Sequence, residues 1–329
     1  MHPELFKLPF TDLTVKSYGV MVVLGFFFAV IIIKKLCKRV GLDHNELING
    51  AFYSFIVGII GARIFHVIHY YDSFHSIGEM LAIWRGGLEL LGGVLPAILF
   101  LILYLKFKKI DVLLSLDIFS AALMIGVAFG RIGCLLNGCC FGQPTDLAFG
   151  ISFPYDSIPY KAQAYPDYER NRDVIIELPN DYYGYFNSDD QWVAAPEYDK
   201  YRYMLKPLSS LSETQRADVS KGGKYSCHAV HPTQLYSSLA AFLNCGILAM
   251  FWWKFGAGQI EMRKRKFKAG TTAALMLVLY SVFRFMVENL RGDNPYEVGT
   301  MTVSQLISAG MFICGIMLFA GLSQKKASR

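Results

Sequence analysis

Along the 329 residues, apolar side chains gather into long blocks rather than recurring on one face of short helices. Each block is close to the roughly 20 residues that carry an α-helix across about 30 Å of hydrocarbon. Seven are predicted, over residues 17–36, 46–71, 86–107, 112–136, 232–253, 270–290 and 301–322. Residues 143–228 break the pattern: they are polar, punctuated by Pro and Gly, mixed in charge and rich in Tyr (Tyr155, Tyr160, Tyr165, Tyr168, Tyr182, Tyr183, Tyr185, Tyr198, Tyr201, Tyr203, Tyr225). A linker would not carry so many rings, so this stretch is expected to fold as a small α+β or irregular head of short strands and loops. The expected fold class is therefore an all-α polytopic membrane protein. Residues 1–142 hold helices one to four, 143–228 the head, and 229–329 the last three helices and a tail.

Composition agrees with this division. Hydrophobic residues make up 53% of the chain and charged residues 18%, against about 25% charge in a soluble domain. That balance excludes a disordered or collagen-like chain, and seven cysteines are too few for a disulfide scaffold of this length. The first block is followed by Lys34, Lys35, Lys38 and Arg39 instead of a small-residue cleavage site, so it is read as a retained span and not a leader. With that cluster on the cytoplasmic side, Lys106, Lys108, Lys109, Lys254, the Arg263–Lys268 run and the Lys325–Arg329 tail fall there too, which is sixteen Lys and Arg. The short external segments hold only Lys7, Lys16, Arg85 and Arg291. The positive-inside rule then places the N-terminus and the head outside and the C-terminus in the cytoplasm. The net charge of +6 reports this topology, so no nucleic-acid partner is expected.

Charges within spans carry the functional signal, because each costs at least a few kcal/mol unless it meets a partner or a wet cavity. Arg63 lies in the second block, Arg131 in the fourth, and Arg284 with Glu288 in the sixth, all expected in the outer half of their spans. Arg284 and Glu288 are four apart and share a helix face with Tyr280 and Arg291. A simple charge pair locking helices together accounts for one arginine and the glutamate. Three arginines leave positive charge over, and a phospholipid phosphate is its natural counterion, since guanidinium grips phosphate through two parallel hydrogen bonds. Glycines surround the constellation: Gly86, Gly87, Gly92 and Gly93, read first as close helix packing, and Gly130, Gly133, Gly138 and Gly142, read as a structured turn beside the site.

The stretch GRIGCLLNGCCFGQPT at 130–145 resembles the signature of the prolipoprotein diacylglyceryl transferases, integral enzymes of the bacterial cytoplasmic membrane. Five further segments occur in that family's order: Ser17-Tyr18-Gly19, GARIFHVIHY at 61–70, WRGGLELLGG at 84–93, HPTQLY at 231–236 and YSVFRFMVENLR at 280–291. The resemblance implies seven spans and transfer of the diacylglyceryl group of phosphatidylglycerol to the lipobox cysteine of a preprolipoprotein signal peptide, at the outer leaflet of the inner membrane. Phosphatidylglycerol enters as co-substrate, and no cofactor is implied. By the same resemblance Arg131, Arg284, Glu288 and Tyr18 are the expected catalytic residues. The expected phospholipid site comprises Arg131, Arg284, Asn137, Gly142, Arg63, Gly92, Gly93, His231, Gln234 and Tyr280.

The chain also departs from the family pattern. Leu91 stands where the family has His, and Cys134 and Cys139 replace an Asn and a Glu. The remaining histidines of these segments, His66, His69 and His231, read first as structural hydrogen-bonding groups. Cys134, Cys139 and Cys140 cluster at the end of the fourth block, and Cys227 precedes the fifth. A disulfide from Cys139 or Cys140 to Cys227, inert buried thiols, and a metal or thiol-transfer role all remain open. The C-x4-C-C spacing is not a standard zinc pattern, so no metal is expected. An alternative function keeps the phospholipid site but serves a different acceptor, or uses the cysteines in redox chemistry.

Overall fold

The structure, a computed structural model, describes residues 3–7, 14–83, 86–87, 89–168, 172–258, 266–294 and 299–323. Trp84, Arg85 and Leu88 of the glycine-rich run, the basic residues Arg263, Lys264 and Arg265, and the Lys325–Arg329 tail lie outside the described residues. A hairpin of β1 (Glu4–Lys7) and β2 (Thr14–Lys16) leads into α1 (Ser17–Val40). There follow α2 (His44–His69), the short α3 (Ile77–Leu81), α4 (Leu90–Phe107) and α5 (Val112–Asn137). The head contributes α6 (Ile158–Ala164), β3 (Tyr183–Phe186), β4 (Trp192–Ala194), β5 (Met204–Leu205) and α7 (Glu213–Val219). The chain closes with α8 (Thr233–Lys254), α9 (Thr271–Glu288) and α10 (Val303–Ser323). Among the described residues six helices, α1, α2, α5, α8, α9 and α10, are long and apolar enough to cross a membrane. The seventh expected span is the shorter apolar helix α4, whose 18 residues amount to about 27 Å. It starts at Leu90 rather than 86 because Gly86 and Gly87 both take left-handed backbone angles (φ 91° and 73°), which a right-handed helix cannot continue.

The chain divides into two compact units. One comprises residues 27–123, 245–276 and 316–329. Here α2 and α4 approach closely through glycines: a Cβ at Gly61 would lie 2.5 Å from the carbonyl oxygen of Gly92, and one at Gly93 would lie 2.7 Å from that of Gly58. Only bare backbone fits such a crossing. Asp117, an intramembrane carboxylate that the sequence reading did not single out, accepts from the amides of Gly270 and Ala273 at 2.9 Å each and so caps the start of α9. At the ends of α1 and α8, Arg39 donates to the Gly258 carbonyl at 2.7 Å and lies over the Trp253 ring.

The other unit comprises residues 1–26, 124–244 and 277–315 and contains the head. Its small antiparallel sheet has the order β4-β3-β5. The tyrosines are the core of the head: Tyr155, Tyr160, Tyr182 and Tyr183 are buried with Phe153, Ile176, Leu178 and Cys227. Three of the hydroxyls are satisfied by carbonyls, with Tyr155 donating to Lys206 O, Tyr160 to Tyr225 O and Tyr183 to Ala164 O at 2.6–2.9 Å. Burial raises these phenols above their ordinary range and holds Tyr165 and Tyr182 at about 12.

Candidate functional site

The site is built on the ends of α5 and α9 and the loops that follow them. Helix α5 stops because Gly138 turns left-handed (φ 78°), with its amide on Leu135 O and the amide of Cys139 on Cys134 O at 3.1 Å. This is a Schellman closure, in which the residue two past the helix end folds back on the last turn. Beyond it, residues 141–143 run between residues 230–231 and 290–292. Gly142 N donates to His231 O at 3.0 Å, Gln143 N to Leu290 O at 2.8 Å and Gly292 N to Phe141 O at 3.0 Å. A Cβ at Gly142 would lie 2.5 Å from His231 O and 2.9 Å from Leu290 O, so only glycine fits at this position. Thus the signature segment of α5, the HPTQLY segment and the end of α9 are held by main-chain bonds.

Glu288, at the last turn of α9, is 4% exposed. Its carboxylate accepts from Arg284, from Asn294 and from Thr302 Oγ1 at 3.0 Å, and Arg291 lies at 3.7 Å. Arg284 also donates to Ser304 Oγ at 3.0 Å. Arg291 is gripped by Asp293 through two bonds of 2.8 Å. Arg131 is different: it has no hydrogen-bond or ion-pair partner among the described residues. Among the described residues, three guanidinium groups face two carboxylates, Glu288 and Asp293, which leaves one positive charge over. Arg131 lines a cavity together with Arg284, Tyr280, Ser237 and Asn244. A guanidinium with no carboxylate partner among the described residues, beside a second guanidinium and a phenol, has the donors to bind an anion such as a phosphate.

Other predicted residues gather around this centre. Tyr18 is half-exposed, its ring packs against Gly133, and it lies within electrostatic reach of Arg131 and the cysteines. The Asn137 side chain lies beside the Cys139 thiol. Gln234, fully buried, donates to Cys139 O at 2.8 Å, while its Oε1 has no hydrogen-bond partner among the described residues. His231 turns its Nδ1 to the Tyr236 hydroxyl at 3.4 Å. Arg63, Gly92 and Gly93 are occupied within the other unit. Arg63 is buried and gives its guanidinium to the carbonyls of Glu79, Met80, Gly86 and Gly87 at 2.6–3.0 Å. It therefore staples the loop before α4, and Gly92 and Gly93 sit at the α2–α4 crossing. In the same unit His69 pairs with Glu89 at 2.9 Å and His66 approaches it at 3.9 Å, while Leu91 is exposed.

All seven cysteines are free thiols. The sulfurs of Cys134, Cys139 and Cys140 lie within 4.8 Å of one another, and Cys227 is buried in the core of the head. Hydrogen bonds from Cys134 and Cys139 shift the Cys140 thiol down, and Arg291 and Arg131 add to this against its burial. Sequence reasoning left Asp293, Asn294, Thr302 and Ser304 out of the site. Their only signal was polarity between the end of α9 and the first turn of α10, which does not say what they touch.

Residues 3–321 match the family model described as prolipoprotein diacylglyceryl transferase. A relative in Clostridium tetani, named phosphatidylglycerol–prolipoprotein diacylglyceryl transferase, is 29% identical over 321 residues, 97% of each chain. Relatives of the same name occur in Thermotoga maritima (27% identical, covering 92% of this chain and 79% of that one) and Finegoldia magna (26%, 92% and 88%).

Proposed function

The chain belongs to the prolipoprotein diacylglyceryl transferase family, and from that premise we propose that it transfers the diacylglyceryl group of phosphatidylglycerol to a cysteine thiol of a prolipoprotein. The observation that carries this reading is Arg131, a guanidinium without a hydrogen-bond or ion-pair partner among the described residues, in a cavity it shares with Arg284 and Tyr280. Chemically, the acceptor sulfur attacks the glyceryl carbon bonded to the phosphate oxygen. The C–O bond breaks, a thioether forms, the thiol loses its proton, and glycerol phosphate departs with the bonding electrons. Charge develops on the leaving phosphate, so cations placed there in advance lower the barrier. Arg131 and Arg284 take that role, Tyr280 borders the same cavity, and Glu288 fixes the Arg284 fork. Asn137, Gly142, His231 and Gln234 shape the loop beside the phosphate, and Tyr18 closes its side. Leu91 has no titratable group, so the thiol proton leaves by a route other than the family's histidine position.

The acceptor thiol is that of a lipobox cysteine at the end of a signal peptide, which reaches the site from within the membrane. The protein sits in the bacterial cytoplasmic membrane, with its head and N-terminus outside and its basic loops and C-terminus in the cytoplasm. The lysine and arginine distribution supports that orientation. The test is direct. Purified protein, phosphatidylglycerol vesicles and a lipobox peptide should yield a peptide heavier by one diacylglyceryl group, and Arg131→Ala should slow its formation about 100-fold. No product, under conditions where an active relative gives product, would overturn the proposal.

A further inference from the structure

The proposed reaction leaves three thiols unused. Cys134, Cys139 and Cys140 bring their sulfurs within 4.8 Å of one another at the end of α5. The geometry points to a three-thiolate site for one thiophilic d10 cation, of the zinc, cadmium or copper(I) class. A cation about 2.3 Å from each of three sulfurs sets those sulfurs about 4.0 Å apart. The longest edge must therefore contract by about 0.8 Å, within reach of small side-chain rotations.

Three observations indicate that the fold assembles this cluster in advance. The Schellman closure joins the amide of Cys139 to the carbonyl of Cys134, so the local sequence places those two residues on one another. Cys140 is held at φ 59°, left-handed backbone that a side-chain-bearing residue adopts only under strain. Such strain at a non-glycine residue is a recurrent mark of functional positions. The loop is also pinned from α8: Thr233 Oγ1 donates to Cys140 O at 2.6 Å and Gln234 Nε2 to Cys139 O at 2.8 Å. Soft sulfur ligands select a cation of this class over magnesium or calcium.

The test uses the full chain, reduced and held in detergent without oxygen, titrated with cadmium(II) while the thiolate-to-metal ultraviolet band is followed. The expected result is a saturable band at one equivalent, competed by zinc(II), with three thiols protected from maleimide by intact mass. Cys140→Ser should weaken binding by ~100-fold or more, because even partners outside the ligand set cost 10–100-fold. A variant carrying Cys37→Ser, Cys245→Ser and Cys314→Ser should bind as the parent does, which separates ligand loss from general damage. No band in the reduced protein, an unchanged band in Cys140→Ser, or a disulfide among the three cysteines in protein kept under reductant would overturn the assignment.

Discussion

Arg131 and Arg284 border one cavity but differ in their partners, and that difference separates catalysis from stability. Replacing Arg131 by alanine removes a guanidinium that holds no partner among the described residues, so no buried group loses its bond. The cost in stability should stay below about 1 kcal/mol. The transition state loses a cation aimed at the departing phosphate; a preorganised donor of that kind contributes about 3 kcal/mol, on the order of 100-fold in rate. Arg284→Ala should slow the reaction similarly, but it also leaves the Glu288 carboxylate buried. Asn294, Thr302 and Arg291, the last at 3.7 Å, still face that carboxylate. The penalty should therefore fall near the low end for a broken buried pair, about 3 kcal/mol. The assay pairs initial rates of peptide lipidation, read by mass spectrometry, with thermal unfolding of the same samples in detergent. Equal destabilisation of the two variants, or an Arg131→Ala rate within threefold of the parent, would refute the reasoning.

Arg284→Lys should also lose most activity, since an ammonium cannot hold Glu288, Ser304 and a phosphate as the planar fork does; near-parental rates in the same assay would exclude a two-pronged phosphate grip. Arg63→Met leaves four carbonyls without their donor and should lower the unfolding temperature and open the loop before α4 to proteolysis, with the parental KM for phosphatidylglycerol in the folded fraction; a KM raised tenfold would instead place Arg63 on the lipid. Gly142→Ala drives a methyl group into His231 and Leu290 and should cost about 2 kcal/mol or more, seen as early unfolding. In the head, the buried phenols are neutral in both folded and unfolded chains below pH 10. Above it the unfolded chain ionises first, so stability should fall with rising pH until Tyr165 and Tyr182 ionise near 12. Tyrosinate absorbance completing its rise near pH 10 without unfolding would contradict this.

The sequence alone determined the membrane-spanning blocks, because the length of an apolar run is a local property and the bilayer sets the length required. It also determined the Arg284–Glu288 pair, which helical spacing brings together, and the presence of a folded head between helices. The CLLNGC end of α5 was half legible: a glycine in that position closes the helix and brings Cys134 to Cys139. Only the tertiary structure decided which charges are spent. Arg63 and Arg131 look alike in sequence, each an arginine in a GxR or GR context inside a span. Folding gives the first four carbonyls from a loop 16–24 residues away and gives the second a cavity. Asp117, Asn294, Thr302 and Cys140 acquired their roles in the same way. Hydrogen bonds and ion pairs act through space over a few ångströms, and periodicity along the chain carries no information about which distant groups the fold will set at that distance.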